Sequence, residues 1–98
     1  MNDVTYHFEW DPKKEQSNRD KHGITFADAS AVVQDPLAIS ILDDEYDDER
    51  WVTLGQAKGK LLVVVHTFVE ESETELRIRI ISARQTTTRE REFYEKDR

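Results

Sequence analysis

The chain predicts an α+β domain built on a mainly antiparallel sheet, in the order β-α-α-β-β-β-β-α. Three observations carry this. Val4, Tyr6, Phe8 and Trp10 alternate with polar residues, the period of a half-buried strand. Two helix-start signals follow within about twenty residues of one another, Asp11-Pro12 and Thr25-Phe26-Ala27-Asp28. Everything from Leu37 to Ala83 then reads as short strands and turns, and strands grouped after paired helices point to an antiparallel sheet with helices packed on it. At 98 residues the chain is expected to form one domain, spanning 1–98, with a modest core.

Each element has a local reason. Asp11 caps the first helix, and Pro12 sits in its first turn, where a missing N–H is no loss. That helix runs to about Lys21 and stops at His22-Gly23, glycine being suited to a left-handed cap. It is so polar that it belongs on the surface. Thr25, three residues before Asp28, makes a loose capping box, and Phe26, Ala29, Val32 and Val33 form the apolar stripe of a second helix ended by Asp35-Pro36. Strands are predicted at Leu37–Leu42, Trp51–Gln56 and Leu61–Val69, the last two joined by a hairpin turn at Lys58-Gly59-Lys60. Asp43 to Glu49 is an acidic loop, Glu70 to Thr74 a turn, and Glu75 to Ala83 the last strand. Thr87-Thr88-Arg89-Glu90 opens a final helix with a full capping box, and Phe93 and Tyr94 give it something to dock.

Composition narrows the function. A formal charge of −7 disfavours a general nucleic-acid binder, because such binding is driven by Lys and Arg neutralising phosphates. The charge is unevenly spread, however. Asp35 to Arg50 holds seven acidic residues against one basic, whereas Arg77 to Arg98 holds seven basic against four acidic, so a basic site can sit on an acidic body. The absence of cysteine removes disulfides, thiolate nucleophiles and Cys-type zinc sites and fits a reducing compartment, with the cytoplasm as the expected location. The longest apolar run, Leu61 to Val65, is far too short for a bilayer, and no membrane association is expected.

No phosphate-binding loop, dinucleotide fingerprint or G-x-S-x-G elbow occurs. His7, His22 and His66 have no metal-ligand spacing, and the acidic run lacks the glycine of a calcium loop, so neither metal nor cofactor is expected. What remains is a set of basic and titratable groups: Lys21, His22, Glu49, Arg50, His66, Arg79, Arg84 and Tyr94. Such groups suit RNA cleavage without metal, in which a base takes the ribose 2′-OH proton, cations stabilise the phosphorane and an acid protonates the leaving oxygen. Arg79 and Arg84 flank an apolar run next to a helix start, where a guanidinium can hold two phosphate oxygens. The plainer reading makes Arg77 and Arg79 the wet face of a sheet and His66 a partly buried ring with a hydrogen-bonded tip. Arg84 has the parity of the apolar face unless a bulge turns it outward.

The same residues resemble a known pattern. Phe8-Glu9-Trp10-Asp11, Lys14, Asn18, Lys21-His22-Gly23-Ile24, Phe26, Ala29, Val33 and Asp35-Pro36 are similar to the N-terminal half of the BrnT family of type II toxins. Glu49-Arg50, Gly55, Leu62 to Thr67, Arg79-Ile80-Ile81-Ser82-Ala83-Arg84, Thr87, Arg89, Glu90 and Tyr94 continue the resemblance through the second half.

The resemblance implies a RelE-like fold and a toxin that blocks translation by cutting RNA. It also implies a BrnA-like antitoxin of ribbon-helix-helix type, which masks the toxin and through which alone operator DNA is reached. On that reading Arg84 and Arg79 hold phosphate and transition-state charge, Lys21 and His22 lie near the substrate, Glu49 is the expected base, and Arg50 orients it or adds a phosphate contact. His66, Tyr94 and Arg77 are second-tier. The rival reading is a binding module without turnover, a degenerate toxin acting as co-repressor with its antitoxin.

Overall fold

The computed structural model describes residues 3–45 and 49–96. The elements are β1 (Thr5–Glu9), α1 (Pro12–His22), α2 (Phe26–Val33), β2 (Ile39–Asp43), β3 (Arg50–Ala57), β4 (Lys60–His66), β5 (Val69–Glu70), β6 (Glu75–Gln85) and α3 (Thr88–Glu95). The expected class and order are found, with β5 as an added two-residue strand. The acidic loop is reached at Asp44 and Glu45; its segment Tyr46 to Asp48 lies outside the described residues.

The sheet order is β1-β6-β4-β3-β2, with β5 also on β6. All pairs are antiparallel except β1 with β6, which is parallel. The long last strand explains the split of the predicted Leu61–Val69 strand. β1 and β5 flank the first half of β6, and β4 takes the second half, so the chain leaves β4 after His66 and rejoins β6 as β5. Where the two ladders meet, the register slips: Val65 pairs with Ser82 but His66 with Ile80. Such a bulge reverses which side chains face the core. Ile78 and Ile80 point to the helices before it, and Ala83 does so after it. Arg84 is thereby turned to the face that carries Arg77 and Arg79.

The predicted caps are present. Asp11 accepts from the Lys13 N–H, Gly23 adopts φ 72° and donates to Arg19 O, and Thr87 and Glu90 form the reciprocal capping box. The box at Thr25 is only half made: Thr25 accepts from Asp28 N, while the Asp28 carboxylate turns to Lys60 at 2.7 Å. Glu15 of α1 satisfies a different N–H of that first turn, accepting from Phe26 N at 3.0 Å.

The main core lies between the sheet and α1–α2, where Phe26, Ala29 and Val32 meet Leu62, Val64, Ile78 and Ile80. A smaller cluster on the outer face joins Leu54, Leu61 and Val63 to Tyr94 of α3. Gly55 lets α2 lie close on β3: a Cβ there would stand 2.8 Å from Val32 O, a backbone atom that can move only with the helix.

α1 buries a single side chain, Asn18, and its function is specific. β1 stops at Glu9, opposite Arg79, so beyond that point one edge of β6 has no neighbouring strand among the described residues. The Asn18 amide fills the gap, donating to Ala83 O at 2.9 Å and accepting from Ala83 N at 3.1 Å, with a further bond to Ile24 O at 3.3 Å. One side chain thus stands in for a strand residue and fixes which face of α1 meets the open edge.

Candidate functional site

Lys14, Asn18 and Lys21 recur at i, i+4 and i+7 and share a face of α1. Because Asn18 is tied to Ala83, that face lies against β6. Lys14, Ser17, Lys21 and His22 therefore line a shallow cavity of about 310 Å³ together with Ile81 and Ser82 of the open edge. Lys21 is exposed and His22 half-buried. Lys21 and His22 both contribute to this lining. Lys14 and Ser17 join them, and for Lys14 the helical spacing was the available signal.

The arginines are distributed along the outer face. Arg77 is held by Glu71 and, at 3.5 Å, by Glu9, and these carboxylates raise its pKa above the ordinary guanidinium value. Arg79 is exposed; its backbone is paired with Thr67, and its guanidinium has no partner among the described residues. Arg84 makes a two-point pair with Glu90, both contacts at 2.8 Å, and donates to Gln85 O. The same Glu90 closes the α3 capping box on Thr87 N, and Arg84 first, then this backbone bond, hold its carboxyl well below the ordinary range, at about 2. Glu49 is exposed beside β3, and Arg50 opens that strand across from Asp43.

These groups do not converge on one phosphate. Arg79 and Arg84 are five residues apart on one strand, roughly 15 Å at about 3.3 Å per residue. Arg50 shares their face but lies two strands away from Arg79, roughly 10 Å. Arg79 precedes Ile81 by two positions and Arg84 follows Ser82 by two, so both outer-face arginines border the β6 segment that lines the Lys21–His22 cavity. Tyr94 is buried and donates to Asp35 Oδ2 at 2.6 Å, an oxygen that also accepts from Gln56 N. It anchors α3.

His66 is more enclosed than a partly buried ring, at 3% exposure. Its Nδ1 lies 2.9 Å from Thr67 O, its Nε2 2.6 Å from Thr53 Oγ1, and Thr53 Oγ1 2.7 Å from Ser40 Oγ. Burial lowers its pKa, the bond to Thr67 opposing this in part. Below the ordinary 6.5 the unfolded chain takes up a proton that the folded ring resists, so stability rises with pH through the window below 6.5 and levels off above it. Denaturant unfolding is expected to give a lower midpoint at pH 5.5 than at pH 7.5, with the difference reduced in His66→Gln. Sequence reading missed Ser40 and Thr53 because their partners lie thirteen residues away in each case, across strands.

Among the described residues no three His, Asp or Glu side chains come close enough to hold a metal ion, and no helix among them is long and apolar enough to cross a membrane. Comparison with individually curated proteins returns no match. A family model does match, over residues 10–90, and is described as the ribonuclease toxin BrnT of type II toxin–antitoxin systems. The matched span contains α1, the open edge of β6, Arg79, Arg84 and the Glu90 that pairs with it. A match over most of the chain makes the protein a member of the BrnT family of ribonuclease toxins.

Proposed function

We propose that this toxin cuts RNA without a metal ion, at the open edge of β6, and so blocks translation. The observation that carries the reading is the cationic lining of that edge, where Lys14, Lys21 and His22 stand over Ile81 and Ser82, with the guanidinium of Arg79, which has no partner among the described residues, two positions before Ile81. Lysines there neutralise phosphates on either side of the scissile bond. Arg79 stabilises the charge that develops on the phosphorane, and His22, with Glu49 as the second candidate, transfers the 2′-OH proton. The net charge of −7 confines favourable contact with RNA to this edge.

The family description supports an antitoxin partner. We take it to be a BrnA-like ribbon-helix-helix protein, through which the complex reaches operator DNA, in a cytoplasmic setting. The co-repressor reading draws on one observation, the engagement of Arg84 by Glu90. Cleavage of a labelled single-stranded RNA by the purified chain, with and without EDTA, separates the readings. Equal cleavage in both supports the metal-independent nuclease. Loss in EDTA refutes metal independence, and a folded chain that fails to cut under both conditions while still binding antitoxin favours the co-repressor.

A further inference from the structure

β2 ends the strand order, and its outer edge has no neighbouring strand among the described residues. The strand at the opposite end, β1, carries His7 and Glu9 on its outer face, where they contact Glu75 and Arg77. Charged side chains of this kind blunt an edge against pairing with another chain. β2 has no charge before its last residue, Asp43, and its Ile41 is 61% exposed. An apolar edge left so open is a place where another strand can add.

Beside that edge lies a groove of about 290 Å³ whose walls are almost entirely apolar. It runs from Ile39 and Ile41 of β2 over Val52 and Leu54 of β3 to Phe93 of α3, which is itself 55% exposed. At the end of β2 the surface turns acidic. Asp43, Asp44 and Glu45 follow one another there, and the exposed Glu49 precedes Arg50, which stands across from Asp43. A basic partner with apolar side chains matches both features. A second copy of this chain does not, because each copy carries −7 and would bring another acidic stretch to the contact. An RNA strand is repelled by the same carboxylates.

We propose that the β2 edge and this groove are the docking surface of the antitoxin. An extended segment of the antitoxin adds beside β2, seats two apolar side chains in the groove, and sets Lys or Arg against Asp43, Asp44 and Glu45. Residues at i and i+2 of such a segment share a face, so both apolar side chains reach the groove while the backbone pairs with β2. Main-chain pairing supplies affinity and the groove supplies specificity. The carboxylates speed encounter and fix the register. The inference rests on the family reading for the existence of an antitoxin.

The test is binding of the purified full chain to its full-length cognate antitoxin, with amide hydrogen exchange of the toxin measured free and in the complex. Ile41→Lys should weaken the complex at least about thirtyfold, the effect of losing a central apolar anchor, and should leave the unfolding midpoint unchanged because Ile41 is exposed. Val69→Lys, similarly exposed but on β5, should bind as the parent. Asp44→Lys with Glu45→Lys should slow association and flatten its salt dependence. In the complex, the β2 amides that point away from β3 should become protected. Parent-like binding by Ile41→Lys, or β2 amides that stay unprotected, overturns the surface while leaving the antitoxin reading intact. Unchanged association of the charge variant overturns the basic character assigned to the segment. If the parent chain binds no antitoxin, the surface and the antitoxin reading fall together. Sedimentation of the chain alone should show a monomer, and a dimer abolished by Ile41→Lys would give the surface to a second copy instead.

Discussion

Arg79→Ala is expected to reduce RNA cleavage by about a hundredfold to a thousandfold, the usual cost of deleting a group that stabilises transition-state charge, and to relieve arrest when expressed without antitoxin. Its folding stability should stay close to the parent's, since Arg79 is exposed and its side chain has no partner among the described residues. Arg84→Ala should behave differently. Removing Arg84 leaves Glu90 without its guanidinium and loosens α3, so unfolding and activity should both change. The pair is partly exposed, with side-chain exposures of 42% and 31%, and its stability effect should be no more than about 1–2 kcal/mol after solvent screening. Cleavage rates at matched folded concentration, read beside denaturant unfolding, separate the two roles. Undiminished cleavage by Arg79→Ala would move the phosphate site elsewhere.

The second large effect is on stability. Asn18→Leu should cost about 3–4 kcal/mol, because it removes three hydrogen bonds and strands the buried N–H and C=O of Ala83, each worth about 1–3 kcal/mol when unsatisfied. For a domain of this size that is a large part of total stability. Asn18→Asp separates geometry from polarity. It keeps an acceptor for Ala83 N but loses both donors, so it should also be destabilised. A midpoint for Asn18→Leu within the error of the parent's would show that water pairs the open edge as well as the amide does.

The local grammar of the chain was legible. Asp11, Gly23, Thr25 and Thr87 mark the helix ends where they were predicted, since caps are satisfied within a few residues of themselves. The parallel pairing of β1 with β6 was not legible, nor was the division of the long strand into β4 and β5, because both depend on contacts some seventy and ten residues away, respectively. Strict alternation put Arg84 on the apolar face, and only the register slip at His66 and Ile80 turns it outward. Lys21 and His22 could be placed together from sequence adjacency. Their relation to Ser82 depends on Asn18, a polar residue on a polar helix with no periodic signal to single it out.

The fastening of α3 has a thermodynamic consequence. This helix buries only Tyr94, leaves Phe93 55% exposed, and is held mainly by two polar links, Tyr94 to Asp35 and Glu90 to Arg84. An element with so little buried area opens locally at a free energy well below that of global unfolding. Its opening does two things in one step: it releases the Arg84 guanidinium and bares the apolar strip of Val52, Leu54 and Val63 beneath. The fraction of molecules with a free Arg84 is therefore set by the same equilibrium constant as the fraction exposing that strip. Whatever captures the bared strip raises the population of free Arg84 by mass action, without touching it.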